Sequence, residues 1–205
     1  MKTTFDRMKS QFAIPVIRYT DGKILKQISQ ALAKGGLQVL EITLMSPAAF
    51  DVIAELSQDP TLIIGAGTVL NEKDAQNAIA AGAKFLVSPG LDAASVKYAH
   101  SQGIPFVPGV LTPSEVMRAQ AMDCPLVKVF PIASMGGPEY IKHLQGPFPS
   151  MQWMCTGGVG IEDIPAFRAV GVNCLCIGRQ LMPTSAIESG NWEELTRLAQ
   201  NCLKQ

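Results

Sequence analysis

Leu126-Val127-Lys128-Val129-Phe130-Pro131 sets an ammonium in the middle of a run that is otherwise apolar. An apolar run of this length, without alternation, reads as a short β-strand covered on both faces, the pattern of parallel sheets wrapped by helices. Burying an unpaired ammonium costs on the order of several kcal/mol unless it is paired or its pKa falls. A lysine forced toward neutrality becomes a usable amine nucleophile at pH 7. One other strand-like segment carries a charge at its centre, Gln38-Val39-Leu40-Glu41-Ile42-Thr43-Leu44. A buried lysine and a buried carboxylate are the minimum equipment for Schiff-base chemistry. The plainer alternative is a structural ion pair in a core.

Working outward from 126–131, apolar strand candidates recur at nearly even spacing: 13–18, 38–44, 62–69, 85–90, 104–110, 126–131, 152–158 and 174–179. Helical spacing fills the intervals and begins at recognisable caps: Asp21, Asn71, Asp92 and the Thr112-Pro113-Ser114-Glu115 box. Glycines stand where helices stop, at Gly35-Gly36, Gly82, Gly103 and Gly171. Strict βα alternation without a linker predicts a parallel sheet and a single domain over residues 1–205. Eight units predict closure into a (β/α)₈ TIM barrel, compact beside the typical length of about 250 residues. An open doubly wound sheet is the alternative. Residues 2–11 are expected to add an extra N-terminal helix.

Composition narrows the function. The 205 residues are 47% hydrophobic, 17% charged and only 6% aromatic, a globular balance rich in small aliphatics. Net charge is zero and no Lys/Arg run marks a nucleic-acid or acidic-membrane partner. Apolar runs are short, so neither a transmembrane helix nor a signal-peptide core is expected, and the reading is cytoplasmic. The five cysteines (Cys124, Cys155, Cys174, Cys176, Cys202) read as reduced packing residues. With only His100 and His143 beside them, no metal site is expected.

Chemistry in such barrels gathers at the C-terminal ends of the strands. Here those ends read Arg18, Glu41-Ile42-Thr43, Gly65-Ala66-Gly67-Thr68, Ser88-Pro89-Gly90, Pro108-Gly109, Lys128, Thr156-Gly157-Gly158 and Gly178-Arg179. Tight turns explain any one of these glycines. As a set they fit a ligand that approaches the backbone closely. The loops after the seventh and eighth strands are the usual phosphate site of this architecture, and they hold Gly157-Gly158-Val159-Gly160 and Gly178-Arg179. Arg179 could add a bidentate contact.

These residues resemble the 2-keto-3-deoxy-6-phosphogluconate aldolase family, the KHG/KDPG class I pyruvate aldolases. The resemblance runs over essentially the whole chain. It rests on Glu41-Ile42-Thr43-Leu44, Gly65-Ala66-Gly67-Thr68-Val69-Leu70, Ser88-Pro89-Gly90, Lys128-Val129-Phe130-Pro131, Thr156-Gly157-Gly158 and Cys176-Ile177-Gly178. It implies a small (β/α)₈ barrel, a homotrimer, and a reaction on a phosphorylated 2-keto acid with no metal or organic cofactor. It further implies that Lys128 forms the Schiff base with the C2 carbonyl and that Glu41 is the general acid/base. Thr68 would hold the pyruvate end and Thr156 lie beside the sugar hydroxyls, with Pro89 and Phe130 in the substrate pocket. Gly157, Gly158 and Gly178 would supply phosphate-binding amides.

Two positions depart from the family pattern. Members acting on phosphogluconate often carry arginine just after Glu-x-Thr-Leu, where this chain has Met45; Arg18 is expected to meet the substrate carboxylate instead, as in the phosphogalactonate aldolases. The loop after the eighth strand often carries Gly-Ser, whereas this chain has Arg179-Gln180. The expected reaction is cleavage of 2-keto-3-deoxy-6-phosphogluconate to pyruvate and glyceraldehyde 3-phosphate, with 4-hydroxy-2-oxoglutarate as a second substrate. The alternatives are the phosphogalactonate analogue, a phosphate-binding isomerase or epimerase that uses Glu41 as base, and a non-catalytic sugar-acid sensor.

Overall fold

Proline 108 splits one strand of an otherwise regular sheet. In the computed structural model, which describes residues 3–205, nine parallel strands form one sheet. They are β1 (Ala13–Ile17), β2 (Val39–Thr43), β3 (Ile63–Gly67), β4 (Phe85–Val87), β5 (Phe106–Val107), β6 (Gly109–Val110), β7 (Leu126–Val129), β8 (Gln152–Thr156) and β9 (Cys174–Ile177). β9 lies beside β1, β5 beside β4, and β6 beside β7. β5 and β6 flank Pro108, which has no N–H for a ladder, so together they make one stave. The ring closes with eight positions as a (β/α)₈ barrel, and the open-sheet alternative falls.

The helices begin where the caps predict. They are α1 (Thr4–Gln11), α2 (Gly22–Lys34), α3 (Ala48–Leu56), α4 (Glu72–Ala80), α5 (Ala93–Ser101), α6 (Pro113–Gln120), α7 (Pro138–Gln145), α8 (Ile164–Ala169), α9 (Thr184–Glu188) and α10 (Trp192–Cys202). Asp21, Asn71 and Asp92 accept from the N–H groups of Ile24, Asp74 and Ser95 at 2.9, 3.0 and 2.8 Å. Glu115 closes its box by accepting from the Thr112 N–H at 2.7 Å. Gly36, Gly82, Gly103 and Gly171 all take positive φ at the helix stops. The extra helix begins at Thr4; residue 2 of its expected span lies outside the described residues.

Apart from the fifth, which ends at Val110 as expected, the strands end one to three residues earlier than the apolar runs suggest. Thr68 turns to φ +60°, and prolines 89 and 131 interrupt the extensions after β4 and β7. The peeled-off ends become the mouth of the barrel.

Two apolar layers result from the period of two along each strand. On β7, Val127 and Val129 pack outward against the helices, while Leu126 joins Ile14, Val39, Phe85, Val87, Val107, Met154, Cys174 and Cys176 in the barrel interior. Helix α1 plugs the N-terminal end with Met8, fully buried in that interior. The Gln11 side chain continues the plug. Its Nε2 donates to the carbonyls of Ala13 and Val39 at 2.9 and 2.8 Å, and its Oε1 accepts from Gln38 and Val39 N–H at 2.7 and 2.8 Å. One amide thereby joins β1 to β2 below their ladder. Gln11→Ala is expected to lower unfolding free energy by about 2–4 kcal/mol, because it orphans backbone groups of β1 and β2. A lower urea midpoint at unchanged slope would register it.

Candidate active site

Glu41 and Lys128 occupy the same inward phase as the apolar residues beneath them. Val39 and Leu126 line the interior, so the side chains two positions later point the same way. Glu41 is 1% exposed and Lys128 7%. Glu41 sits between Val16 of β1 and Gly65 of β3, and Lys128 between Gly109 of β6 and Met154 of β8. Each charged residue therefore has a glycine as one lateral neighbour. Among the described residues, no ion pair or hydrogen bond joins the two side chains. Their charges act on one another through the interior without contact. The Lys128 ammonium stands 5.3 Å from the centroid of the Phe130 ring. A structural salt bridge is therefore not what these residues form.

Burial raises the Glu41 carboxyl above the usual range, while Lys128 and then Arg18 pull it back down. Its Oε2 is buried without a hydrogen-bond partner. The seat for this carboxylate is made by an absent side chain. A Cβ at Gly67 would lie 2.0 Å from Glu41 Oε1 and 2.7 Å from its carboxyl carbon. Gly65, one inward position below, gives its space to the Phe85 ring, 2.2 Å from where a Cβ would stand. The Gly-x-Gly at 65–67 was readable as a strand end, but its role as the carboxylate's seat depends on register across β2 and β3.

The mouth gathers most of the other expected residues. Arg18 is exposed directly after β1 and close enough to lower the Glu41 pKa. Thr68 follows Gly67 in the left-handed region, a costly conformation for a β-branched residue and one concentrated at functional sites. Pro89 is exposed; the Ser88 hydroxyl donates to the Gly90 carbonyl and accepts from Gly109 N–H at 3.4 Å. Gly109 must lack a side chain, since a Cβ would meet the Pro89 carbonyl at 2.1 Å. Phe130 is 39% exposed, a large ring facing the opening.

Thr156 is buried at the end of β8, and its hydroxyl donates to the Cys176 carbonyl at 3.1 Å. It keeps only acceptor capacity for a ligand. Gly157 and Gly158 follow with φ of +98° and +78°. A Cβ on Gly157 would crowd Pro131 at 2.9 Å, so this turn packs against the loop after Lys128. The N–H groups of Gly158 and Val159 have no acceptor among the described residues. Gly178 and the exposed Arg179 lead from β9 into a short 3₁₀ turn, Arg179–Leu181. Of the expected mouth residues, Phe130 meets Lys128 and Arg18 acts on Glu41; no interaction of Arg179 with the buried pair is seen among the described residues. A cleft of about 310 Å³ opens at the opposite end of the barrel, between Phe5, His100, Phe106 and Asp123, away from this chemistry.

A closed parallel barrel with a buried, unpaired lysine and a carboxyl of raised pKa at its C-terminal mouth is an enzyme architecture suited to amine catalysis on carbonyl compounds. The family model for KDPG and KHG aldolase matches residues 5–198, and the chain belongs to that family. The 2-dehydro-3-deoxy-phosphogluconate aldolase of Pseudoalteromonas atlantica is 36% identical over 192 residues, covering 93% of this chain and 89% of that protein. The fold is shared with KDPG aldolase from Legionella pneumophila, solved with pyruvate captured at low pH as a covalent carbinolamine intermediate. Its TM-score is 0.89 at 31% identity, over 97% of both chains. The KDPG aldolase of Zymomonas mobilis ZM4, solved with 3-phosphoglycerate, gives a TM-score of 0.87 at 31% identity over 97% of this chain and 94% of that one.

The raised Glu41 pKa carries a stability consequence. The folded protein holds this proton more tightly than the unfolded chain, so its contribution is fully present below the ordinary glutamate pKa and is lost as pH rises through the folded value. Glu41→Gln is therefore expected to be more thermally stable than the native protein at pH 7–8. The gain is about 1.4 kcal/mol for each pH unit separating the folded and unfolded pKa, and it should vanish below pH 4. Melting curves of both proteins across pH check the sign.

Proposed function

We propose that this chain cleaves 2-keto-3-deoxy-6-phosphogluconate to pyruvate and glyceraldehyde 3-phosphate through a Schiff base on Lys128. The observation that carries the reading is the buried Lys128 amine facing the buried Glu41 carboxyl without pairing to it. The amine adds to the C2 carbonyl to give a carbinolamine, and loss of water, protonated by Glu41, leaves an iminium. The Glu41 carboxylate then takes the C4 hydroxyl proton. The C3–C4 bond breaks, its electrons pass into the iminium to form an enamine, and the aldehyde leaves. Protonation at C3 and hydrolysis release pyruvate and restore the amine. A carboxyl whose pKa burial has raised above the usual range is better placed than an ordinary one both to give and to take the proton.

The roles of the mouth follow the same logic. Arg18 takes the substrate carboxylate in place of the arginine absent at Met45, and Thr68 holds the pyruvate end. Pro89 and Phe130 wall the pocket. Thr156 accepts from a substrate hydroxyl, in keeping with its committed proton. Gly157, Gly158, Gly178 and Arg179 take the phosphate, supported by the free N–H groups of Gly158 and Val159 and by the phosphate ester held by the Zymomonas relative. Residues 1–205 act as one catalytic domain without metal or organic cofactor, as a homotrimer in the cytoplasm. No helix among the described residues is long and apolar enough to cross a membrane. The trimer rests on the family resemblance, and sedimentation equilibrium tests it.

Borohydride reduction with pyruvate is expected to add one reduced pyruvate, mapped to Lys128 by peptide mass; a label elsewhere, or none, removes the mechanism. Lys128→Arg should be inactive, since a guanidinium stays protonated. Glu41→Gln should keep some imine formation and lose roughly 10²–10⁴ in turnover.

Substrate recognition is read by two further variants. Arg18→Ala is expected to raise KM roughly 10–100-fold, the worth of a charge-assisted contact to a carboxylate. Arg179→Ala should narrow the preference for phosphorylated over unphosphorylated substrate while leaving pyruvate trapping intact. A native enzyme without any phosphate preference would instead make 4-hydroxy-2-oxoglutarate the better substrate, with Arg179 meeting its second carboxylate.

A further inference from the structure

The Gln180 side chain joins the loops that follow β8 and β9. Gln180 Oε1 accepts from the Ile161 N–H at 2.8 Å, and its Nε2 donates to Glu162 Oε1 at 2.6 Å. Gly160 lies directly beneath this amide: a Cβ there would stand 2.0 Å from Oε1, 2.1 Å from the amide carbon and 2.2 Å from Nε2. The Gly160 N–H is itself taken by Asp163 Oδ2 at 2.8 Å. The far side of the β8 loop is thus anchored at 160–162. Gly158 and Val159, in its middle, keep N–H groups with no acceptor among the described residues. The bridge also holds the Glu162 carboxyl below its usual range.

We propose that Gln180 is a positioning residue for the phosphate end of the substrate. Donors for that group come from two loops, Gly158 and Val159 on one and Gly178 and Arg179 on the other. An anion held from both sides needs them at a fixed separation, and two untethered loops would have to be ordered at the moment of binding. A glutamine suits the task because its amide has a donor and an acceptor on one rigid plane and brings no charge toward a phosphate. It needs an N–H on one side and a carboxylate on the other, and Ile161 and Glu162 supply them. Gly160 supplies the space. The inference deepens the proposed function and rests on its phosphate reading.

The test compares kcat and KM for 2-keto-3-deoxy-6-phosphogluconate and for unphosphorylated 2-keto-3-deoxygluconate in four proteins. In Gln180→Ala the preference for the phosphorylated substrate should fall roughly tenfold, through its KM, the order of one hydrogen bond that orders a charged ligand's site. Gln180→Glu sets a second carboxylate against Glu162 and should fall at least as far. Gln180→Glu combined with Glu162→Gln rebuilds the bridge with its polarity reversed, since the new carboxylate accepts from both the Ile161 N–H and the amide introduced at 162. The preference should then return to within about threefold of native. A preference that survives Gln180→Ala, a loss shared equally by both substrates, or a double variant that fails to recover would each overturn the role of Gln180 while leaving the phosphate reading in place. A native enzyme with no preference at all removes the phosphate reading, and this inference with it.

Discussion

A carboxylate and an ammonium held inside one barrel, near enough to feel each other and too far apart to pair, is the constraint on which the rest of the molecule depends. Charges in an apolar interior collapse into an ion pair, change protonation, or unfold the structure around them. Here collapse is prevented by rigid backbone. Glu41 and Lys128 belong to β2 and β7, and their side chains project from fixed ladders into an interior packed by Ile14, Val39, Phe85, Leu126 and Met154. The carboxylate is confined by the missing side chain of Gly67. The result is a carboxyl whose pKa is raised by burial and tempered by two cations, which is the state a proton shuttle needs.

Such a site is costly, and the opposite end of the barrel carries the compensation. Helix α1 buries Met8 in the interior, and the Gln11 amide satisfies four backbone groups, of Ala13, Gln38 and Val39, where β1 and β2 begin. Capped helices and long apolar contacts in the outer layer complete the closure. The separation follows the general division of this architecture, in which the N-terminal face serves stability and the C-terminal face serves chemistry. The strands end early at the mouth for the same reason. Backbone that leaves the ladder after β8 keeps the N–H groups of Gly158 and Val159 free of acceptors among the described residues, where a continued sheet would have used them.

Glycine has two distinct uses in this chain. At Gly36, Gly82, Gly103 and Gly171 it supplies the positive φ that ends a helix. At Gly65, Gly67, Gly109 and Gly160 the conformation is ordinary and the missing Cβ is what matters, because a ring, a carboxylate, a backbone carbonyl and a glutamine amide occupy the space. The first use is local and the second is not.

That distinction separates what the sequence alone determined from what the folded structure decided. Periodicity, caps and helix-stopping glycines depend on neighbours a few residues away, so the eight βα units, the N-terminal helix and the barrel closure are all legible in the sequence. So is the oddity of Lys128 and Glu41, since a charge in an apolar run is visible in the run itself. All strand ends but the fifth were read one to three residues long, because departure from a ladder is set by the neighbouring strand. Whether Lys128 and Glu41 pair could not be read at all: the answer depends on their separation across the barrel, which is fixed by the register of every stave between β2 and β7. The seat at Gly67, the committed proton of Thr156 and the bridge of Gln180 each join residues from different βα units. Those units lie side by side in the sheet, and the register of one stave on the next sets which side chains meet, so only the tertiary structure decides them.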